Sequence, residues 1–531
     1  MPTATYPTDL SPWIPVHAQD GPAMLGLRAL FSRAHRITQL TLPIPPAASG
    51  LYRILTAITA RLTRLDDPQT PLSAWTRERS RLLTGDSGFD EATVHAYFDS
   101  HAWDLFDPCR PFLQDPSLAT QCTETAGINT LVYGRPAGNN LAWHSPHNDT
   151  APQPVSCDEA LWHLLIHHYY GRSGNVTPRT VGHVKSWKGT AGPLRSTLSF
   201  HPLGATLYET LLLHLTPYQG DGDQPPDQCP WERDAPPDPV APQPPLTWPG
   251  RLLTGRSRHA ALLVPTEDGS AVADLYLTWA AHHRTAPKLP ATDPYLIYDE
   301  VAVRPQLPVQ QHRHPRKADT ARALWRDLDA LLLAGDETAT TQRPTVFATL
   351  NDLPERIAMR LRVQVCGFVQ EGQVRDTAWY TAFTPPLWTY AQEHDPAAAR
   401  RIADARTAAE ALAGTLSQAA TRAWQDATAP RATTRPRTPR TPSPWARDAL
   451  ERYWPQAETV FWDLVRHPDP HDTQIRPAFA RAALAALHAA TAPALAQYRS
   501  AGPALARATA AVRAAAAPHR PRPKGRRRAQ P

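Results

Sequence analysis

Proline decides where this 531-residue chain can carry regular structure. Eleven of its 58 prolines crowd residues 217–250, from Pro217 to Pro249. Proline lacks the amide N–H and clashes with the preceding turn, so this stretch excludes a helix or a central strand and predicts an extended, exposed connection. A second Pro/Arg/Thr run at 429–444 reads as a disordered linker. Residues 1–390 mix short apolar runs, aromatic residues and Gly/Pro punctuation, the texture of an irregular α+β domain. Arg36–Leu42 partly alternates like a half-buried strand, and Thr206–Leu215 and Ala323–Leu333 have the apolar spacing of amphipathic helices. From 391 to 516 the chain is rich in Ala and Arg and helical in pattern. Ala397–Asp426, Trp445–Arg466 (opening on Ser443-Pro444), Arg476–His488 and Pro493–Ala516 make four helices, and hence a C-terminal four-helix bundle. The fold expected is α+β: a large mixed N-terminal domain, then the bundle, then a disordered basic tail at 517–531.

Charge is unevenly placed. The net +6 includes six cations between Pro518 and Pro531 and four arginines in 429–444, with no acid in either stretch. Without these ten cations the body is net negative, so nucleic-acid binding would use a few focal loops plus the basic segments rather than a generally basic surface. Of 55 basic residues only five are lysines: Lys185, Lys188, Lys288, Lys317 and Lys524. The arginine, alanine and proline bias reads as compositional, and it makes each lysine informative. Cys109, Cys122, Cys157, Cys229 and Cys366 are scattered and form no CxxC, which argues against a disulfide framework or a four-cysteine zinc site. No run of 18 apolar residues and no basic-then-apolar N-terminus occurs, so a soluble cytoplasmic protein without membrane partners is expected.

Motifs of catalysis are missing. There is no phosphate loop, no G-x-S-x-G elbow, no G-x-G-x-x-G after a strand and no H-E-x-x-H. His163, His167 and His168 share one predicted helix, and the i,i+4 pair His163/His167 has zinc-ligand spacing but no evident third ligand. His394-Asp395 and His471-Asp472 are the dipeptide of some metal phosphohydrolases. A phosphohydrolase using these groups is the alternative reading; the leading one is a non-catalytic protein with no cofactor.

Four loops carry the residues of a nucleic-acid contact. Asn129–Asn140 combines Gly134 and Gly138 with Tyr133, Arg135, Asn139 and Asn140, which offer stacking, charge and paired donors and acceptors. Val181–Gly192 places Lys185 and Lys188 among three glycines, where the backbone approaches a phosphate or base edge closely. His282–Lys288 is a basic run containing Arg284. Gly367–Gln373 reads as a hairpin whose Gln370 or Gln373 could wedge into a base stack; a plain turn is the other reading.

An ordered series of motifs then resembles one family. Trp13-Ile-Pro-Val16, Phe106-Asp-Pro-Cys-Arg-Pro-Phe-Leu-Gln114, Pro202-Leu-Gly-Ala-Thr-Leu-Tyr-Glu-Thr-Leu-Leu-Leu213 and Ala323-Leu-Trp-Arg-Asp-Leu328 are similar, in that order, to the CasA large subunit of the type I-E CRISPR surveillance complex Cascade. The resemblance spans most of residues 10–515. It implies a subunit that recognises the PAM beside a DNA target, helps start the R-loop and recruits an effector nuclease-helicase, while guide RNA in the other subunits reads the sequence. Its implied partners are double-stranded target DNA, the guide-RNA-containing Cascade subunits and that effector.

Carried onto this sequence, Val132, Tyr133, Gly134 and Arg135 match the family's loop that docks to the complex and approaches DNA. The glycine loop falls on Gly182 and His183 with Lys185 close by, His183 standing where a glycine is expected. The lysine finger falls in Trp279–Lys288, with Lys288, Arg284 or His282 open to the role. The glutamine wedge is Gln373, with Gln370 in reserve. The cysteine cluster that some relatives carry before the finger is missing, so no zinc is expected.

Overall fold

The computed structural model describes residues 4–85, 88–137, 144–218, 224–282, 293–300, 313–333, 340–371, 375–428, 442–467 and 474–517. The chain divides into two compact units, one of residues 1–324 with 334–389, the other of residues 325–333 with 390–531. The whole is a mixed helix-and-sheet fold with a helical C-terminal region.

The first unit is built around the helix Pro45–Thr63. It opens on Pro45-Pro46, where the missing N–H groups cost no intrahelical bond, and every residue from Pro45 to Ala60 is buried. A helix covered on all sides is a core element. The helices Cys157–Tyr170 and Leu207–His214 and the strand Arg362–Glu371 pack on it. Leu207–His214 starts where expected: the Thr206 hydroxyl caps it by accepting the Glu209 amide. Small antiparallel sheets wrap this core. Ile37–Leu40, inside the half-buried run read at 36–42, joins Ile14–Ala18 and Gly21–Leu25. Leu198–Leu203 pairs with Arg362–Glu371, which pairs in turn with Arg375–Phe383. Ala271–Trp279 is flanked by Val155–Ser156 and His259–Pro265. Gly174–Val181 and Val184–Gly189 form a two-stranded hairpin.

One buried cation lies at the centre. Arg53, midway along the core helix and fully buried, donates from Nε and Nη2 to Asp293 Oδ2 and Oδ1 at 2.9 and 2.8 Å. Ser49 and Ser199 accept its remaining N–H groups. Beside it, His201 stacks on Tyr52, Tyr295 and His214 with ring centroids 4.7, 5.0 and 5.2 Å away.

The proline-rich stretch differs from expectation. It carries no strand or long helix among its described residues, but it is held down rather than exposed. Cys229, Trp231, Thr247 and Trp248 are buried. Trp231 packs on Trp103 and Phe112, and Asp227 and Glu232 accept the Arg61 guanidinium. Proline set the extended backbone; the two tryptophans and two acids between the prolines drew it onto the core.

In the second unit the helices Pro396–Thr428, Pro444–Arg466, Ile475–Thr491 and Ala501–Ala515 pack together through largely alanine faces. The single helix read at Pro493–Ala516 is broken at 498–500. Pro503 is tolerated only in a first turn, so the helix restarts at Ala501. The segment read as one amphipathic helix at 323–333 is a 3₁₀ turn, Leu324–Asp327, followed by Leu328–Leu332. Trp325 in that turn stacks on Phe461 at 4.7 Å, and Arg326 pairs with Glu410 at 2.8 Å.

Two stability predictions follow from the core. Asp293→Ala leaves the Arg53 cation buried and unpaired and is expected to cost about 3–5 kcal/mol, read as a lower denaturant midpoint. The second concerns pH. Burial holds His168 and His259 down at about 4 and His214 at about 3, against the usual 6.5. These rings stay neutral in the fold while the unfolded chain protonates them near 6.5. Stability is therefore full above about pH 6.5 and falls as pH drops from there toward 4, each histidine contributing ~1.4 kcal/mol per pH unit. Thermal melts between pH 7.5 and 5 are expected to show a steep loss, smaller in His168→Asn.

Candidate nucleic-acid interface

The glycine segment at 181–192 is the described hairpin, with register Thr180↔Lys185 and Val181↔Val184. Two residues, Gly182 and His183, make its turn. Gly182 has φ +55° while His183 keeps a negative φ. This is the Gly-X pattern of a type II′ turn, whose twist matches the flanking strands. Strand alternation puts Thr180, Lys185 and Trp187 on the outer face, all exposed, while Arg179 and Ser186 face inward. Trp187 is 48% exposed, a large aromatic between two lysines. Lys188 reaches across the hairpin to Asn175 Oδ1 at 2.7 Å.

The root of the hairpin is rigid. Arg179 is fully buried and donates to Asp115 Oδ2 at 2.7 Å, Gln121 Oε1 at 2.7 Å and the Trp279 carbonyl at 3.0 Å. Its guanidinium lies 5.2 Å from the Trp279 ring centroid, and Trp279 Nε1 donates to Ser186 O at 3.0 Å. The strand that leads toward the candidate lysine finger is thus fastened to the lysine hairpin. His282, the last described residue there, lies with its ring 6.1 Å from Trp279. Arg284 and Lys288 lie outside the described residues. The chain returns at Asp293, the partner of Arg53.

The candidate wedge sits on another hairpin, Arg362–Glu371 with Arg375–Phe383. Gln373 lies outside the described residues, between the paired Glu371 and Arg375. Gln370 is 6% exposed and its amide is fully engaged: Oε1 accepts the Ser196 amide at 3.0 Å, and Nε2 donates to Asp376 Oδ1 at 2.5 Å and Tyr170 O at 3.2 Å. It fastens the hairpin base and is not available at the tip.

The first loop is also less displayed than its composition suggests. Val132 is buried, and Tyr133 is packed among His167 at 4.8 Å, Phe368 at 5.4 Å and His163 at 6.1 Å between ring centroids. That packing pushes the Tyr133 hydroxyl well above its usual range, chiefly through burial. Gly134 is exposed with φ +99°, and Arg135 donates to Gln153 O at 2.7 Å. Asn139 and Asn140 lie outside the described residues.

The histidines of the alternative reading hold this loop. His163 Nδ1 accepts the Tyr133 amide at 3.2 Å and its Nε2 lies 3.6 Å from Glu159. His167 Nε2 donates to Leu131 O at 3.0 Å, and His168 Nε2 donates to Leu113 O at 2.8 Å. Burial lowers all three below the usual histidine range. Asp395 caps the helix Pro396–Thr428 by accepting the Ala398 amide at 2.8 Å. His471-Asp472 lies outside the described residues. Among the described residues no three His, Cys, Asp or Glu side chains are grouped to hold a metal ion. Neither Trp187 nor Arg179 was singled out from the sequence. The Lys-Ser-Trp-Lys alternation could have found the first, but the partners of Arg179 lie 58 to 100 residues away.

The chain resembles solved structures along nearly its whole length. A chain of a "CRISPR RNA-guided surveillance complex" superposes with a TM-score of 0.82 at 36% identity, covering 96% of this chain and 99% of that one. A chain of a pre-nicking form of such a complex gives 0.75, also at 36% identity, covering 97% and 100%. Cse1 of Thermobifida fusca shares the fold, with a TM-score of 0.74 at 20% identity over 97% of this chain and 98% of that one. CasA/Cse1 of Thermus thermophilus is 26% identical over 363 residues, 67% of this chain and 66% of that relative's length, so the match spans just under two thirds of it. The model of the family described as CRISPR-associated protein Cse1 matches residues 10–496, and the chain belongs to that family, also called CasA.

Proposed function

We propose that this chain is the large, non-catalytic subunit of a type I-E RNA-guided surveillance complex, where it reads the PAM of invading DNA. The observation that carries this reading is the hairpin of residues 174–189. It presents a two-residue turn, two lysines and an exposed tryptophan from a root locked by Arg179. A narrow β-tip with a glycine at its apex suits the minor groove, whose degenerate pattern tolerates several PAM variants. Lysine supplies phosphate or base-edge contacts, and the Trp187 ring offers a stacking surface. The finger at 283–292, with Lys288 or Arg284, would act together with this hairpin, since the strand ahead of it ends at Trp279, whose Nε1 donates to Ser186 O. Gln373 would enter the stack as the first base pairs open.

The energies fit a subunit without catalysis. Parting the first base steps costs a few kcal/mol, with stacking at ~1.4 kcal/mol per step. One wedge and a few phosphate contacts can bias that opening, and the near-balanced exchange with guide RNA supplies the rest. The partners are therefore target DNA, the guide-RNA-bearing subunits and, once the R-loop has formed, an effector nuclease-helicase. The basic tail would add salt-dependent affinity without sequence information. No helix among the described residues is long and apolar enough to cross a membrane, and a cytoplasmic location is part of the same reading.

In a reconstituted complex, Lys185→Ala/Lys188→Ala/Gln373→Ala is expected to weaken target-DNA binding by at least about tenfold, roughly 1.4 kcal/mol, with assembly intact. Unchanged target affinity in gel shifts would reject these residues, and failure to co-purify with guide RNA would reject the family role. The turn makes a separate prediction. Gly182→Ala forces a side chain into φ +55° and is expected to reduce target binding, at about 1 kcal/mol of local stability. His183→Ala is expected to leave stability unchanged and to alter the ranking of PAM variants in a binding competition.

A further inference from the structure

Apart from the lysine hairpin, four arginines converge on one small cavity of the first unit. Arg233, Arg251, Arg256 and Arg258 line it together with Ala281. Its volume is about 50 Å³, where one water needs ~10–15 Å³, so it admits a group of a few heavy atoms. No acidic residue is among the described residues that line it.

The surrounding carboxylates are committed elsewhere. Asp227 accepts Arg61 Nη2 at 2.9 Å, the Gly250 amide at 2.6 Å, the Arg251 amide at 3.0 Å and the Thr247 hydroxyl. Glu232 accepts Arg61, the Tyr97 hydroxyl and the Cys229 amide. Asp293 is taken by Arg53. The Arg256 side chain is only 10% exposed, and its Nε and Nη1 are buried without a hydrogen-bond acceptor; the Asp293 oxygen stands 4.0 Å from Nη1. Arg233 and Arg251 each bury an Nε in the same condition. Burial, and then the charge of the neighbouring arginine, depresses Arg233 beside Arg251 and Arg258 beside Arg256. Arg233, Arg251 and Arg256 are half-buried cations with unsatisfied N–H groups, an arrangement that is costly alone and becomes favourable when a compact oxyanion enters.

We propose that this pocket binds a phosphoryl group, held by the guanidinium forks of Arg233, Arg251 and Arg256. Planar guanidinium groups match tetrahedral oxyanions bidentately, which ammonium groups do not. Ala281 places the pocket two residues from the segment 283–292. A backbone phosphate seated there would lie next to the DNA read by the lysine hairpin. This choice of source rests on the proposed function, whereas the preference for phosphate rests on the arginines alone.

The test uses the full chain and two variants, Arg256→Gln and Arg233→Gln/Arg251→Gln. Melting temperatures are measured in inorganic phosphate and in chloride at matched pH and ionic strength, each variant against its own value in chloride. The wild-type chain is expected to gain about 2 °C or more from phosphate, and both variants to lose that gain. Binding of a short fluorescent single-stranded DNA is then followed across a salt series. A salt slope lower by about one in the variants assigns the site to a nucleic-acid backbone; an unchanged slope with the phosphate gain abolished assigns it to free phosphate. No phosphate-specific gain in the wild type, or a gain that both variants keep, overturns the proposal. The melting arm stands even if the role in a surveillance complex is rejected.

Discussion

Arg53 sits within the fully buried stretch 45–60 of the core helix, so its charge must be neutralised within the protein. Asp293 does this through two hydrogen bonds, and in doing so anchors in the core the residue that follows 283–292. Phe200 donates its amide to Tyr295 O, and the Tyr295 hydroxyl reaches Thr56 and His214 O, so sheet, core helix and the turn at 293–297 close around one ion pair. Arg179 does the corresponding work at the departing end, where it ties Asp115, Gln121 and the Trp279 carbonyl together. Two buried arginines thus bracket the segment that carries the candidate finger.

The same logic explains what the candidate interface displays and what it hides. Lys185 and Trp187 are exposed because strand alternation turns Arg179 and Ser186 inward, where the arginine is held by aspartate and indole. Tyr133, which composition alone would place on the surface, is drawn inward by His163, His167 and Phe368. Gln370 follows the same course: its position on Arg362–Glu371 brings it against Ser196 and Asp376, and its amide is satisfied there.

Local signals in the sequence were legible. The helix Leu207–His214, the strand Ile37–Leu40 and the first three long C-terminal helices could be read from periodicity and capping residues. The glycine-and-lysine segment was visible as a unit because lysine is so scarce in this chain. Long-range pairing was not legible. Nothing near Arg53 points to Asp293, 240 residues away, and nothing near Asp227 points to Arg61. The proline-rich stretch was misread as exposed for that reason: its backbone state is local, but its burial depends on distant partners. The break at 498–500 was local, since Pro503 marks it, and the alanine periodicity obscured it.

The type II′ turn divides the labour at the hairpin tip unequally. Gly182 adopts φ +55° without the steric cost that most other side chains meet there, so the fold favours glycine at this position. His183 occupies the other turn position at a negative φ, exposed, where nearly any side chain is tolerated. Backbone geometry therefore restricts substitution at one residue more than at its neighbour. Position 183 can vary without a folding penalty, and under the proposed function that is where a change of side chain would meet the target without disturbing the turn.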